Sequence, residues 1–237
     1  MNRLLKLYKI VINKKFARAL LKGCAATIEH EAVLKASEAR FVVDIGANRG
    51  QFAIAAREYL PYAMIHSIEP LTEPAKILDQ LFYGDPNFSL HTCAIGLEHQ
   101  TRLMHVSKLD FSSSLLPISE EQLELFPFTA QREVRNVSVL PLGEVIDVQK
   151  IQSPAFLKID VQGFELEVLQ GCVELLGKFE YIYVECSFVE LYVGQALAQD
   201  VIMFLGKAGF QLKGVYDVYY DNTGKAIQAD CLFVKKT

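Results

Sequence analysis

Three carboxylates define the chemistry open to this chain. Asp44 closes the apolar run Phe41-Val42-Val43, Glu69 follows Met64-Ile65-His66-Ser67-Ile68, and Asp160 follows Ala155-Phe156-Leu157-Lys158-Ile159. Such runs pattern as strands of a buried parallel sheet. Ligands of open α/β sheets bind at the carboxyl ends of the strands, so acids at three strand ends converge on one crevice. Lys158 lies two residues before Asp160 and shares its strand face. A lysine in an apolar strand is costly unless paired, and Asp160 or another acid is its expected partner. Glu185, at the end of Tyr181-Ile182-Tyr183-Val184, is a second-rank substrate or catalytic candidate.

The turn after Asp44 narrows the ligand. Gly46-Ala47-Asn48-Arg49-Gly50 breaks the strand, and Gln51 to Tyr59 resumes with helical spacing of Phe52, Ile54, Ala55, Ala56 and Tyr59. Gly46 and Gly50 can take positive φ and let backbone approach a ligand closely. A dinucleotide fingerprint would need a third glycine to seat a pyrophosphate on the helix N-terminus. Here that glycine is missing, and a carboxylate sits two residues before Gly46. An acid there disfavours a diphosphate and favours a ligand with a cationic amino group, such as S-adenosylmethionine. Glu69, about twenty residues after the turn, occupies the place where an acid accepts ribose hydroxyls.

Beyond these acids the chain resembles the FkbM-type S-adenosylmethionine-dependent methyltransferases. The similarity is carried by Asp44-Ile45-Gly46-Ala47-Asn48, Gly50-Gln51, Ile68-Glu69-Pro70, Cys93-Ala94-Ile95-Gly96, Ser113-Ser114-Leu115 and Leu157-Lys158-Ile159-Asp160-Val161-Gln162-Gly163-Phe164-Glu165, with Val168-Leu169 and Gly171. It covers residues 28–234. Two positions depart from the family pattern: Gln162 stands where Glu is usual, and Leu142-Gly143-Glu144 stands where Leu-Asp is usual. The resemblance implies a single Rossmann-like class I methyltransferase domain, α/β, with a seven-stranded, mostly parallel sheet, a C-terminal antiparallel hairpin and helices on both faces. It implies a cofactor site of Asp44, Gly46, Ala47, Asn48, Gly50, Phe52, Glu69, Pro70, Ala94, Ile95 and Asp160, with Ala94 and Ile95 beside adenine. The acceptor it implies is a hydroxyl on a small molecule, sugar or glycan. Asp160 would accept or orient that hydroxyl, with Lys158 holding the carboxylate, and Ser113, Ser114 and Glu185 are substrate candidates.

Composition fits one α/β domain of 237 residues, divided as an N-terminal helical segment over 1–37 and a catalytic domain over 38–237. Residues 1–40 hold nine Lys or Arg against three Glu, a net of +6, and the remaining residues carry −10. A nucleic-acid methyltransferase would want a basic groove, which an acidic body does not offer. The five cysteines are odd in number and form no C-x-x-C pair, and the five histidines show no ligand spacing, so no metal is expected and a reducing cytoplasm fits. No run reaches the length of a membrane span. A binding or scaffolding protein that kept the fold and lost the activity is the alternative.

The elements follow from pattern. Arg3 to Lys22 reads as one helix with basic residues spread around it, packed on the domain or, as the sharper alternative, meeting an anionic membrane. Ile28 to Ser37 is a second helix. Thr72 starts a helix over 72–82, and Phe88 to Ile95 reads as one strand. Arg102 to Val106 and Val134 to Leu140 alternate as exposed strands do, and the long segment 107–132 between them is expected to recognise substrate and close over the methyl donor. Gln195 to Lys207 is helical. Phe210 to Tyr220 and Ile227 to Val234 flank the turn Asp221-Asn222-Thr223-Gly224 as a hairpin.

Overall fold

The computed structural model describes residues 3–236, so the outermost ends of the segments 1–37 and 38–237 lie outside the described residues. The chain opens with helices α1 (Arg3–Ile12) and α2 (Lys14–Leu21), a 3₁₀ turn Ile28–His30 and α3 (Glu31–Ser37). Strand β1 (Phe41–Ile45) leads through α4 (Gln51–Tyr59), β2 (Met64–Ile68) and α5 (Thr72–Leu81) to β3 (Phe88–His91) and β4 (Ala94–Ile95). There follow β5 (Gln100–Ser107), α6 (Glu120–Leu125), β6 (Gln131–Leu140), α7 (Leu142–Val145), β7 (Ala155–Ile159), α8 (Glu165–Gly171), β8 (Tyr181–Ser187), α9 (Ala198–Lys207), β9 (Phe210–Tyr220) and β10 (Ala226–Lys235).

Seven strands form the main sheet in the order β3-β2-β1-β7-β8-β10-β9. The first five run parallel, β10 is antiparallel to β8, and β9 completes the hairpin with β10. Strand order reverses beside β1, which pairs with β2 on one side and β7 on the other. The carboxyl ends of these three strands therefore frame the crevice where such sheets bind ligands. Alternation along each strand divides the core. Val43, Ile45, Leu157, Ile159 and Val184 pack with α8 and α9 on one face. Val42, Phe156 and Tyr183 pack with Phe16, Leu34, Phe52 and Leu78 of the helices on the other. Strands β1 and β7 are buried along their whole length, as expected of central parallel strands.

Two sequence expectations need correction. The N-terminal helix is two helices, because Asn13 leaves helical geometry at φ −86° and ψ 117° and its side chain accepts from the backbone N–H of Lys15 and Phe16, capping α2. The single strand expected over Phe88 to Ile95 is split. After His91 the chain leaves the main sheet, and β4 pairs with β6 in a separate three-stranded sheet that β5 completes. The segment between β5 and β6 is folded: Ser119 caps α6, and Ser114 bridges back to His105. Among the described residues, no helix is long and apolar enough to cross a membrane.

Candidate active site

Asp44 and Lys158 are register partners on neighbouring strands and lie on the same sheet face. Lys158 Nζ stands 3.1 Å from Asp44 Oδ1 and 3.6 Å from Asp160 Oδ2, and donates to the Gly46 carbonyl at 3.2 Å. Burial alone would push the Lys158 ammonium down, but Asp44 and Asp160 together hold it above its ordinary value. Burial raises Asp44, and Lys158 pulls it back. The Asp44 carboxylate is wholly buried and meets the lysine, and it lies outside the residues that line the crevice.

The two glycines of the turn serve chain-to-chain packing. At Gly46, with φ +79°, an added Cβ would sit 1.8 Å from the Asp160 carbonyl oxygen. At Gly50, with φ +95°, it would sit 2.5 Å from Leu78 Cδ1. Only glycine lets the β1 turn press on the end of β7 and α4 seat against α5. The intervening Asn48, itself at φ +46°, directs its N–H to Glu69 Oε2 at 2.9 Å, and Leu71 N–H reaches Glu69 Oε1 at 2.8 Å. Two backbone donors thus fix the carboxylate. Burial nevertheless pushes Glu69 up to about 7, the two N–H bonds opposing it.

These elements line a cavity whose empty space, counting that open to solvent at its mouth, is about 900 Å³. Gly46, Ala47, Asn48, Phe52, Glu69, Pro70, Ala94, Ile95, Ser113, Lys158 and Asp160 line it. Gly50, Ser114 and Glu185 do not. Ser114 Oγ is spent on the Gln162 carbonyl at 2.6 Å, and Glu185 accepts from the amides of Gln162 at 2.8 Å and Gln228 at 2.6 Å. Through these bonds Ser114 and Glu185 hold Gln162, which lines the cavity. Burial, followed by the nearby Asp160 and Asp230, raises the Glu185 carboxyl well above its ordinary value.

Several cavity residues lie outside the site expected from sequence. Gln162, held at φ +58°, donates from Nε2 to Asp160 Oδ1 at 2.8 Å as well as to Glu185, and its Oε1 accepts from Tyr192 Oη at 2.8 Å. Its only sequence signal was its departure from the family pattern. Thr27 and Gln51 line the cavity, and Thr27 Oγ1 and Gln51 Oε1 are buried with no hydrogen-bond partner among the described residues. His30, also lining, has its Nδ1 3.2 Å from Tyr183 Oη, and burial lowers its pKa to about 4, so it is neutral at physiological pH. With Asp217 and Asp230 it brings three potential ligand atoms within 4.8 Å of one another, a grouping no local spacing rule could reveal. Asp110 lines the cavity too, but pairs with Arg49 at 2.7 Å.

A family model described as "Methyltransferase FkbM domain" matches residues 44–212. Among solved structures, the chain is similar to a methyltransferase FkbM from Methylobacillus flagellatus KT, 15% identical with a TM-score of 0.54, over 83% of this chain and 44% of that one. It therefore spans less than half of that relative's length. It is also similar to a Streptococcus pneumoniae protein in complex with S-adenosyl-L-methionine (9% identical, TM-score 0.51, 88% of this chain and 72% of that chain). An uncharacterized Listeria monocytogenes protein gives 6% identity and a TM-score of 0.51 over 88% of this chain and 67% of that one. No curated protein matches the sequence. At these identities the structural likeness speaks to the fold alone.

Proposed function

The chain belongs to the FkbM methyltransferase family, and from that membership we propose that it uses S-adenosylmethionine to methylate a hydroxyl of a small molecule or glycan. The residues present suit that cofactor. Glu69, clamped by Asn48 and Leu71, keeps lone pairs for ribose hydroxyls. The apolar wall of Ala94, Ile95, Met104 and Leu115 suits a flat base. Thr27 Oγ1 and Gln51 Oε1 are buried acceptors free for an amino-acid head group. S-adenosylmethionine supplies an electrophilic methyl carbon on a sulfonium. The protein's part is to place a nucleophile in line with it and to exclude water.

One observation carries the hydroxyl reading. Of the cavity acids, Glu69 is clamped by backbone N–H groups and Asp110 is paired with Arg49, whereas Asp160 keeps Oδ2 with only Lys158 at 3.6 Å. Gln162 fixes the other oxygen. Asp160 Oδ2 is thus the place where an acceptor hydroxyl would deliver its proton, a contribution worth about 10² to 10⁴ in rate. The five buried free cysteines suit the reducing cytoplasm in which such an enzyme would work.

The experiment is calorimetric titration of the purified protein with S-adenosylmethionine, S-adenosylhomocysteine and NAD. Micromolar binding of the first two, followed by label transfer from the donor to a hydroxyl-bearing acceptor in a glycan and metabolite screen, supports the reading. Binding of NAD alone, or of nothing, overturns it and favours a scaffold that kept the fold.

A further inference from the structure

The polarity of α1 is inverted for a surface helix. Lys6 and Lys9, each about 40% exposed, pair with Glu29 at 2.7 Å and Glu31 at 3.2 Å, and Ile10 is buried in the core. The apolar residues face outward: Leu7, Tyr8, Val11 and Ile12 are 53, 61, 57 and 60% exposed. At about 100° per residue these four fall within roughly 140° of arc, a continuous stripe. Helix α2, packed on α1, adds Leu20 and Leu21, the latter 89% exposed. An apolar face this large on a soluble domain marks an interaction site.

Charge identifies the occupant. Lys14, Lys15, Arg18 and Lys22 lie on or just after α2, all exposed. Lys14 and Arg18 have no acidic partner among the described residues, whereas Lys15 pairs with Glu58 at 2.9 Å. The first forty residues carry +6 on a body carrying −10, so the positive charge is concentrated in the segment that holds α1 and α2. Projecting apolar side chains beside a cationic helix, with a tyrosine among them, are what an anionic lipid interface accepts without any preformed groove. A protein partner would have to offer a complementary surface to side chains that stand clear of the domain.

We propose that α1 and α2 form a docking face for an anionic membrane surface, with Leu7, Tyr8, Val11 and Ile12 entering the headgroup layer and Lys14 and Arg18 contacting lipid phosphates. The glutamates that hold α1, Glu29 and Glu31, flank His30 in the cavity wall. This face is independent of the methyl-transfer chemistry.

The test is co-sedimentation of the full chain with phosphatidylcholine vesicles, with and without about one-third phosphatidylglycerol, at low and high salt. Binding to the anionic vesicles at least about tenfold tighter than to the neutral ones, weakened by salt, is expected. Val11→Asp and the double variant Lys14→Glu/Arg18→Glu should each reduce it about tenfold while leaving the thermal transition and S-adenosylhomocysteine affinity unchanged. Failure of the folded wild-type chain to bind anionic vesicles overturns the proposal. So does equilibrium sedimentation showing a dimer that Val11→Asp dissociates, which would assign the face to a second copy of this chain.

Discussion

Lys158 Nζ lies 3.1 Å from Asp44 Oδ1, with both groups shut away from water. Two charges taken from solvent hold each other, and the lysine passes that order to the Gly46 carbonyl and to Asp160. Removing one partner of a buried pair typically costs about 3–5 kcal/mol, because the other is left uncompensated. Lys158→Met should therefore lower stability by about that much in urea unfolding. Asp44→Asn combined with Lys158→Met should recover much of it, since no lone charge is then buried. Equal losses in the single and double variants would show that packing and not charge holds this region.

The Glu69 carboxylate is expected to govern cofactor affinity. Hydrogen bonds to a charged acceptor are worth about 1.5–3 kcal/mol, so Glu69→Gln should weaken S-adenosylhomocysteine roughly ten- to hundredfold by calorimetry. Its acid stands at about 7 through burial. A donor hydroxyl prefers the ionised form, so wild-type affinity should fall as pH drops through that value. The Glu69→Gln protein should show a flat profile over the same range.

Asp160→Asn tests the proton acceptor. The amide is isosteric and keeps an oxygen for the Gln162 Nε2 donor, so cofactor affinity should change less than about threefold. Turnover with a competent acceptor should drop by about 10² to 10⁴. Near-normal turnover would mean that alignment alone drives transfer.

The outline of the fold was legible because strands buried on both faces write themselves as uninterrupted apolar runs, and because Asp44, Glu69 and Asp160 each terminate one. What was not legible was contact between distant segments. Lys158 and Asp160 are two apart and share a face, and they do meet at 3.6 Å. The nearer acid is Asp44, brought alongside by a cross-strand register that no local rule encodes. Gly46 lines the cavity, but the Asp160 carbonyl and Leu78 that require glycine at Gly46 and Gly50 are remote in sequence. Phe88 to Ile95 patterns as a single strand, and nothing local marks the departure from the main sheet after His91.

Buried acids give the protein an unusual pH response. Burial lifts Glu69 and Glu165 from 4.5, and Asp230 from 3.8, to about 7. A group whose folded pKa is raised adds stability that is present at low pH and is lost as pH rises through the folded value. Between pH 8 and 6.5 each should add just under about 1 kcal/mol, raising the melting temperature by roughly 5 °C in sum. Below about 6.5 the acids keep adding stability toward their unfolded values, and the gain is partly offset because burial holds His30 and His66 near 4 and stability is lost as they are forced to charge. Scanning calorimetry across this range checks both limbs. Glu165→Gln, which keeps an oxygen for the Val161 and Gly163 N–H groups, should flatten the upper one.

Gln162 turns a departure from the family pattern into a structural requirement of this chain. Its amide nitrogen sits between Asp160 Oδ1 and Glu185 Oε2, donating to both at 2.8 Å. Glutamate here would exchange those donors for a third carboxylate in a site where burial already raises Glu185. Gln162→Glu should therefore destabilise the protein by about 1–3 kcal/mol at pH 8. Acidification to pH 6 should restore part of the loss, as a shared proton replaces the missing N–H. Thermal melts of the two proteins at both pH values make the comparison. An unchanged melting temperature at pH 8 would mean that a proton is already shared between Asp160 and Glu185, and that the amide is not what keeps them together.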